Sequence, residues 1–538
     1  MVIYRVFLFF LLLSLGGAAF SQDRYMVFFK DKAGSNYTTN QPLSFLSQKA
    51  VDRRIKLGVG VSTADIPVSA EYVSDVKETG AEVYFSTRWL NGVLVQCEAS
   101  LIPSIESLAF VDRVEFVAPQ ARLTNAGRRK ITLKRKNASA GIETKTQLDM
   151  VGITQMHTDA FQGEGITIAV FDGGFQGVDT IKAFQHIFLE DRFNESASYD
   201  FVTNSGNVFQ FDDHGTQVFS VIAGYIPDAF TGGAMKANFQ LYVTEDDFSE
   251  HRIEEYNWLF AAERADSAGV DIITSSLGYY DFDIESHNYT KEQMDGETAV
   301  STRAAQLAAD RGILVVCSAG NEGTKPWKII TAPADAEDVL AIGNVTAQGI
   351  LSPSSSRGPT AVGAIKPDLV ALGTAVRTIR GNGTLAFSTG TSLSTPLVTS
   401  LAAGVWQTHP ELTNFEVIEA LRRTASNANT PNNDIGYGIP NYIAVVNYFE
   451  QNLQPNIFEV LPNPVVDTVT IRPFDPQQIS SCSVEVVGAD GRIVRKDTVQ
   501  FSWLNPSHRA NLSHLAPGVY ILRVLTGRSK HTFRFVKD

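Results

Sequence analysis

The spacing of apolar positions changes character several times along the chain. Residues 6–15 are apolar throughout except for Ser14. Further on, short runs at 25–29, 81–85, 94–97 and 111–117 predict strands. Segments 43–57 and 70–78 predict helices that stop at Gly58 and Gly80. Strands and helices mixed over so short a stretch predict a small α+β sandwich. From about residue 148 to 449 five apolar runs, at 166–171, 239–244, 271–275, 313–318 and 339–345, alternate with helical stretches such as 253–268 and 299–311. That alternation predicts a parallel sheet with helices on both faces, an α/β unit. Beyond about residue 455 the runs at 468–472, 483–487, 492–496, 519–525 and 532–536 alternate as strands do. Asp490-Gly491 supplies a hairpin turn, so a small all-β module is expected.

The leading apolar run follows Arg5 and ends in small residues, with Ala19-Phe20-Ser21 as a cleavage site. Residues 1–21 therefore read as a signal peptide. The run is shorter than the 20 or so apolar residues a membrane helix needs, and no later segment reaches that length. No stable membrane span is expected. The resulting division is 1–21 signal, 22–120 α+β unit, 121–147 linker, 148–450 α/β unit and 455–538 β module. Within the linker, Arg122 to Lys136 holds seven basic residues and no acidic one. Such a polar run between two cores is an accessible site for proteolysis. A formal net charge of −13 over 538 residues disfavours nucleic acid as a partner. Cys97, Cys317 and Cys482 fall in three different parts of the chain and suggest neither a disulfide framework nor a metal site.

Three strings in the α/β unit carry candidate chemistry. Residues 168–174 end a buried strand in Asp172 followed by two glycines. The carboxyl edge of a parallel sheet is where ligand groups collect, although a lone strand-end Asp also serves as a turn or cap residue. Asp212-Asp213-His214-Gly215-Thr216-Gln217-Val218 leads into apolar positions at helical spacing, which sets His214 at a helix entry. Alone it reads equally as a surface histidine or one metal ligand, but no Cys or second His lies close by. Gly390-Thr391-Ser392-Leu393-Ser394-Thr395-Pro396 opens an apolar helix at 397–406. Backbone N–H groups and the positive helix end would face Ser392, and the other reading is an ordinary Ser/Thr cap. Pro396 is tolerated if it lies in the first turn. A serine, its base and a carboxylate that orients the base are what peptide hydrolysis at neutral pH can use.

In the order Asp172, His214, Ser392 these strings resemble the signatures of the subtilisin-like serine proteases, the S8 family. Two further segments add to the resemblance. Ser276-Leu277-Gly278 looks like the family's substrate-binding edge. Ser318-Ala319-Gly320-Asn321-Glu322-Gly323 looks like the segment with the oxyanion-hole asparagine. The resemblance implies a subtilisin-like fold and an acyl-enzyme on Ser392, with His214 as base, Asp172 as its orienting group and Asn321 as oxyanion donor. It also implies Ala319 and Gly320 beside the substrate. Gly173 and Gln217 depart from the family's usual Ser or Thr and His, which leaves open what hydrogen-bonds the pair from behind. Trp327, Ile329 and Ile330 would favour an apolar P1 side chain. Structural calcium is common in the family, and the scattered acidic residues assign no ligands.

The flanking modules carry resemblances of their own. By position and element order the first unit resembles the βαββαβ propeptide of subtilisins, a partner that assists folding and blocks the active site. Leu461-Pro462-Asn463-Pro464, Asp490-Gly491-Arg492, Leu515-x-Pro517-Gly518-Val519-Tyr520 and the terminal Phe535-Val536-Lys537 resemble the sorting domain of type IX secretion. Together these imply a zymogen exported by its signal peptide and then carried across the outer membrane, secreted or held at the cell surface. Protein or peptide substrates, the propeptide and the secretion machinery would be its partners. The reading from a different class is a non-catalytic binding or adhesion protein on the same fold, against which stands the presence of all four side chains the chemistry needs.

Overall fold

The computed structural model describes residues 22–119, 144–452, 457–475, 479, 481–488, 492–502, 504–526 and 530–538. The signal segment, most of the basic linker and the Asp490-Gly491 turn lie outside the described residues.

The N-terminal unit runs β1 (Asp23–Phe29), α1 (Gln48–Leu57), α2 (Ala70–Glu78), β2 (Glu82–Thr87), β3 (Gly92–Cys97), α3 (Ile102–Glu106) and β4 (Val111–Ala118). Its sheet order is β2-β3-β1-β4, the βαββαβ arrangement. The helix expected over 43–57 is broken. A short 3-10 turn occupies Pro42–Ser44, and α1 starts only after Ser47, whose side chain accepts from Ala50 N. Gly58 closes α1 in the left-handed region, at φ 79°.

The alternation of β1 explains how this unit is attached. Tyr25, Val27 and Phe29 join the unit's own core with Val76, Val93, Val95 and Ile105. Met26 and Phe28 point the other way and enter a second cluster with Tyr256, Phe260 and Ala304 of the next unit. One sheet thus buries both faces, one of them against its neighbour.

The central unit holds β5 (Thr167–Asp172), β6 (Tyr199–Asp200), α4 (His214–Ala223), β7 (Asn238–Val243), α5 (Ile253–Ala268), β8 (Ile272–Ser275), α6 (Val300–Ala309), β9 (Leu314–Ser318), β10 (Leu340–Val345), β11 (Leu369–Leu372), β12 (Val376–Ile379), β13 (Leu385–Ser388) and α7 (Thr391–Thr408). Seven of these strands form one parallel sheet in the order β11-β10-β9-β8-β5-β7-β6. Buried clusters cover both faces: α4 and α7 pack with one, α5 and α6 with the other. The strands at 369–372 and 199–200 were too short to register in the sequence.

The C-terminal unit is two antiparallel sheets around a small core of its own. One is ordered β14 (Phe458–Leu461), β15 (Thr468–Pro473), β18 (His508–Asn511). The other is ordered β17 (Ile493–Gln500), β16 (Ser481–Val487), β19 (Gly518–Leu525), β20 (Lys530–Lys537).

Candidate active site

Three elements bring Asp172, His214 and Ser392 to the carboxyl edge of the parallel sheet. Asp172 is the last residue of β5 and is 1 % exposed. Its Oδ1 accepts from Gly173 N at 2.9 Å and from His214 Nδ1 at 2.8 Å. His214 is the first residue of α4, so its imidazole projects from the helix start toward the strand end. Gly215 makes that approach possible: a Cβ there would meet Gly174 O at 2.3 Å and Asp172 Cβ at 2.9 Å. Burial opposes protonation of His214. The Asp172 charge, the hydrogen bond it accepts, and the nearby Asp212 and Asp213 outweigh that and raise the imidazole to about 9.

The two departures beside the pair have physical correlates. A Cβ at Gly173 would meet Asp247 Oδ1 at 2.8 Å, and Asp172 Oδ2 is buried with no hydrogen-bond partner. Gln217 turns away from the pair. It donates to Asp213 Oδ1 at 2.9 Å and accepts from Ser388 Oγ, tying α4 to the β12–β13 hairpin.

Ser392 is the second residue of α7 and is 7 % exposed. Its Oγ donates to Ser276 O at 3.2 Å, and no hydrogen bond joins it to His214. Pro396 is not in the first turn of α7 but at its sixth position. Lacking an N–H, it leaves the Ser392 carbonyl unclaimed within the helix, and Ser276 Oγ donates to that carbonyl at 2.9 Å. The proline thus frees the acceptor that pins the serine's backbone to the segment after β8.

Asn321 lies in an exposed loop after β9. Its Oδ1 accepts from Thr391 N at 3.0 Å and Thr391 Oγ1 at 3.2 Å, which orients the amide and leaves Nδ2 free to donate. A Cβ at Gly390 would lie 3.5 Å from Asn321 Nδ2 and 3.7 Å from Ser392 N. Two donors therefore face one small space, kept open because residue 390 has no side chain. That arrangement suits a developing oxyanion.

Ser276, Leu277 and Gly278 form one edge beside Ser392, tied by Ser318 Oγ donating to Leu277 O at 3.1 Å. Ala319 and Gly320 form the facing segment; Ala319 is fully buried and offers backbone only. Trp327 stacks on Tyr280 at 4.4 Å and, with Ile329, packs against the apolar cluster on the α5 and α6 face; Ile330 is fully buried. Thr331, which the sequence did not single out, stands between the edges. Its Oγ1 would lie 2.2 Å from a Cβ at Gly278 and 3.0 Å from one at Gly320. This hydroxyl is buried and has no hydrogen-bond partner. Gly278 and Gly320 were the available signal, since both lack the side chain that Thr331 displaces.

Side chains close enough to hold a metal ion meet twice among the described residues: Asp172, Asp212 and His214, and Glu245, Glu250 and Glu254. In the first, His214 Nδ1 is already engaged by Asp172.

Comparison with known proteins matches three parts of the chain. Residues 163–438 match the Subtilase family, residues 24–136 the Peptidase S8 propeptide domain of Bacteroidota, and residues 459–538 the Secretion system C-terminal sorting domain. Serine protease AprX of Bacillus subtilis is 29 % identical over 327 residues, covering 55 % of this chain and 68 % of that protein. Subtilisin E of the same organism is 28 % identical over 275 residues, 50 % of this chain and 63 % of that protein. Among solved structures, the epidermin leader peptide processing serine protease of Staphylococcus aureus aligns with 79 % of this chain and 99 % of its own. Its TM-score is 0.54 at 16 % identity, a likeness of fold.

Proposed function

Since the chain belongs to the subtilase family, we propose that it is a secreted serine endopeptidase, made as a zymogen, that cleaves peptide bonds through an acyl-enzyme on Ser392. The observation that carries this is the convergence of the Asp172–His214 hydrogen bond with Ser392 and the two donors around Gly390. Neutral His214 takes the proton from Ser392 Oγ as the oxygen attacks the scissile carbonyl. Asp172 holds the tautomer with the proton on Nδ1 and stabilises the imidazolium. Asn321 Nδ2 and Ser392 N receive the oxyanion. Imidazolium then protonates the leaving amine, and water repeats the sequence on the acyl-enzyme.

In the structure Ser392 Oγ is bonded to Ser276 O, so attack requires the hydroxyl to rotate toward the imidazole. Extended substrate would lie between Ser276–Leu277–Gly278 and Ala319–Gly320, with Thr331 under its P1 side chain. The N-terminal domain is the chain's own inhibitor. The sorting domain directs export to the surface or the medium, through type IX machinery. Structural calcium belongs to this reading as a support of the fold; it takes no part in the chemistry.

Labelling by a serine-directed phosphonate tests the assignment. The processed protein should take up one label, located on Ser392, and Ser392→Ala should take up none and lose peptidase activity while keeping its fold. Activity within tenfold of the parent enzyme in Ser392→Ala would overturn the reading, because loss of a triad nucleophile is grossly damaging.

A further inference from the structure

The β12–β13 hairpin touches the segments that carry all three triad residues. Its strands pair only with each other and stand outside the seven-stranded sheet. β13 ends at Ser388, just before Ser392, and between them Gly390 N donates to Gly373 O at 2.8 Å. Asp213, Gln217 and Ser220 recur at helical spacing along α4 and its entry, and all three bond to the hairpin. Asp213 Oδ2 accepts from Gly381 N at 3.4 Å. Gln217 Oε1 accepts from Ser388 Oγ, and from Thr378 Oγ1 at 3.4 Å. Ser220 Oγ accepts from Ile379 N at 3.0 Å. The turn also meets the segment after Asp172: a Cβ at Gly177 would lie 2.4 Å from Gly381 O, and one at Gly381 3.0 Å from Asp213 Cβ and from Gln176 O. From the start of the central unit, buried Gln147 holds both backbone groups of Arg377. Its Oε1 accepts from Arg377 N at 2.9 Å and its Nε2 donates to Arg377 O at 3.3 Å.

We propose that this hairpin is the strut that sets the separation of His214 from Ser392, and that Gln217 is the positioning residue that locks it. The inference rests on the catalytic reading above. His214 opens α4 and Ser392 is the second residue of α7, yet Ser392 Oγ donates to Ser276 O and not to the imidazole. Their approach is therefore left to whatever holds the two helix starts. Gln217 can bridge them because its amide donates at one end and accepts at the other. Nε2 donates to Asp213 Oδ1 at 2.9 Å, so a single amide ties the residue before the base to the strand that leads into the nucleophile. At 8 % exposure little water competes for that bridge. Being uncharged, it holds at every pH at which His214 titrates. A nucleophile displaced by about 1 Å from its base costs on the order of 100-fold in rate.

The test compares processed parent enzyme with Ser388→Ala, Ser388→Thr, Gln217→Leu and the double variant Gln217→Leu/Ser388→Ala. A serine-directed phosphonate counts competent sites, so kcat is expressed per labelled Ser392 and loss of folded protein drops out. Ser388→Ala and Gln217→Leu should each lower kcat by roughly 10- to 100-fold. KM should stay within about threefold, because the segments at 276–278 and 319–320 are untouched. The double variant should fall no further than the worse single one, since both break the same bridge. Ser388→Thr keeps the hydroxyl and should keep kcat. Parent kcat per labelled site in folded Gln217→Leu would overturn the proposal, and so would additive losses in the double variant. A rise in KM at unchanged kcat would place the hairpin in the substrate site and overturns the positioning role too. If Gln217→Leu fails to fold, the hydroxyl pair decides: equal kcat in Ser388→Ala and Ser388→Thr overturns it. Failure of the catalytic reading shows separately, as parent enzyme whose Ser392 takes no label, and that result overturns both.

Discussion

His214 donates to a carboxylate that water scarcely reaches, and two further aspartates precede it in sequence. Burial alone would keep the imidazole neutral. The Asp172 charge and hydrogen bond, with Asp212 and Asp213, win, and the group is raised to about 9. Only the neutral form can act as base, so kcat/KM of the free enzyme is expected to fall as pH drops through about 9, above the ordinary histidine value near 6.5. The raised value also stabilises the fold. That contribution is complete below the unfolded-state value and is lost as pH rises through the folded one. Asp212→Asn removes one of the charges and should move the acid limb downward, with the plateau rate within severalfold of the parent enzyme. A parent limb near 6.5, or one that Asp212→Asn leaves in place, would count against this account. The sequence made His214 legible as a base, but not the direction of its shift, which depends on three carboxylates from two segments surrounding one ring. Thr331 was illegible for a similar reason: its importance lies in what faces it. Its side chain fills the space between Gly278 and Gly320, so the P1 pocket is expected to be short and to prefer small side chains over the larger apolar ones that Trp327, Ile329 and Ile330 suggested. Thr331→Gly removes three heavy atoms and should raise kcat/KM for Phe or Leu over Ala at P1 by ~10-fold or more. An unchanged ratio in a panel of P1 substrates would remove Thr331 from the pocket.

At the scale of elements, α5 does the most varied work. Its Trp258 donates to Ser275 Oγ at the sheet, Glu254 in its first turn joins the acidic cluster, and its far end holds the N-terminal domain. There Asp266, fully buried, accepts from Arg53, Arg54 and Arg88, the Arg54 contact at 2.8 Å. Glu263 accepts from Thr87 Oγ1 and from the backbone N–H of Arg88 and Trp89. Burial pushes the Asp266 carboxyl up, but the charges of Arg54, Arg88 and Arg53 more than offset this and hold it below the ordinary range. The pairing is therefore complete above the ordinary carboxylate range and is lost only as pH falls through that depressed value. The helix itself was legible from 253 to 268, because the stretch holds no Gly or Pro and ends at Gly269. That Glu263 and Asp266 on it are buried was not legible, because the sheet that covers them belongs to the N-terminal domain. Replacing Asp266 with Asn leaves Arg53 and Arg88 buried without their carboxylate partner and Arg54 with Asp65 alone. Breaking such a pair costs about 3–5 kcal/mol. The isolated N-terminal domain, added to processed enzyme, should therefore inhibit Asp266→Asn with a Ki at least ~100-fold higher than it shows against the parent. A Ki within threefold would mean that the apolar face of Met26 and Phe28 holds the domain unaided.

In the whole molecule these contacts serve a chain that has to be exported before it acts. The N-terminal domain buries one face of its sheet and an ionic network against the central unit, and its last strand ends near the acidic loop after β7. Ala118 is paired with Arg24, whose charge is within reach of Asp246 in the acidic loop after β7. The chain then enters the basic segment from Arg122 to Lys136, which lies outside the described residues, and resumes at Thr144 on the central unit. While that connection is intact the inhibitor acts at an effective concentration on the order of millimolar, so even a weakened interface keeps the cleft closed. Once it is cut, the domain is held by its interface alone, and its digestion makes activation irreversible. The full chain is therefore expected to be inactive, with activity appearing on cleavage between Arg122 and Thr146. With Thr331 as the expected floor of the P1 pocket, the arginines of the linker should fit poorly, so the first cut should fall beside a small residue such as Ala138 or Ala140, or be made by another protease. The measurement is N-terminal sequencing of the Ser392→Ala chain incubated with and without processed enzyme, alongside the time course of activity in the parent chain. Asp266→Asn should not activate the uncut chain, but should shorten the delay between cleavage and full activity. Full activity from parent protein that still carries residues 24–119 on one uncut chain would show the N-terminal domain to be a permanent part of the enzyme, not its inhibitor.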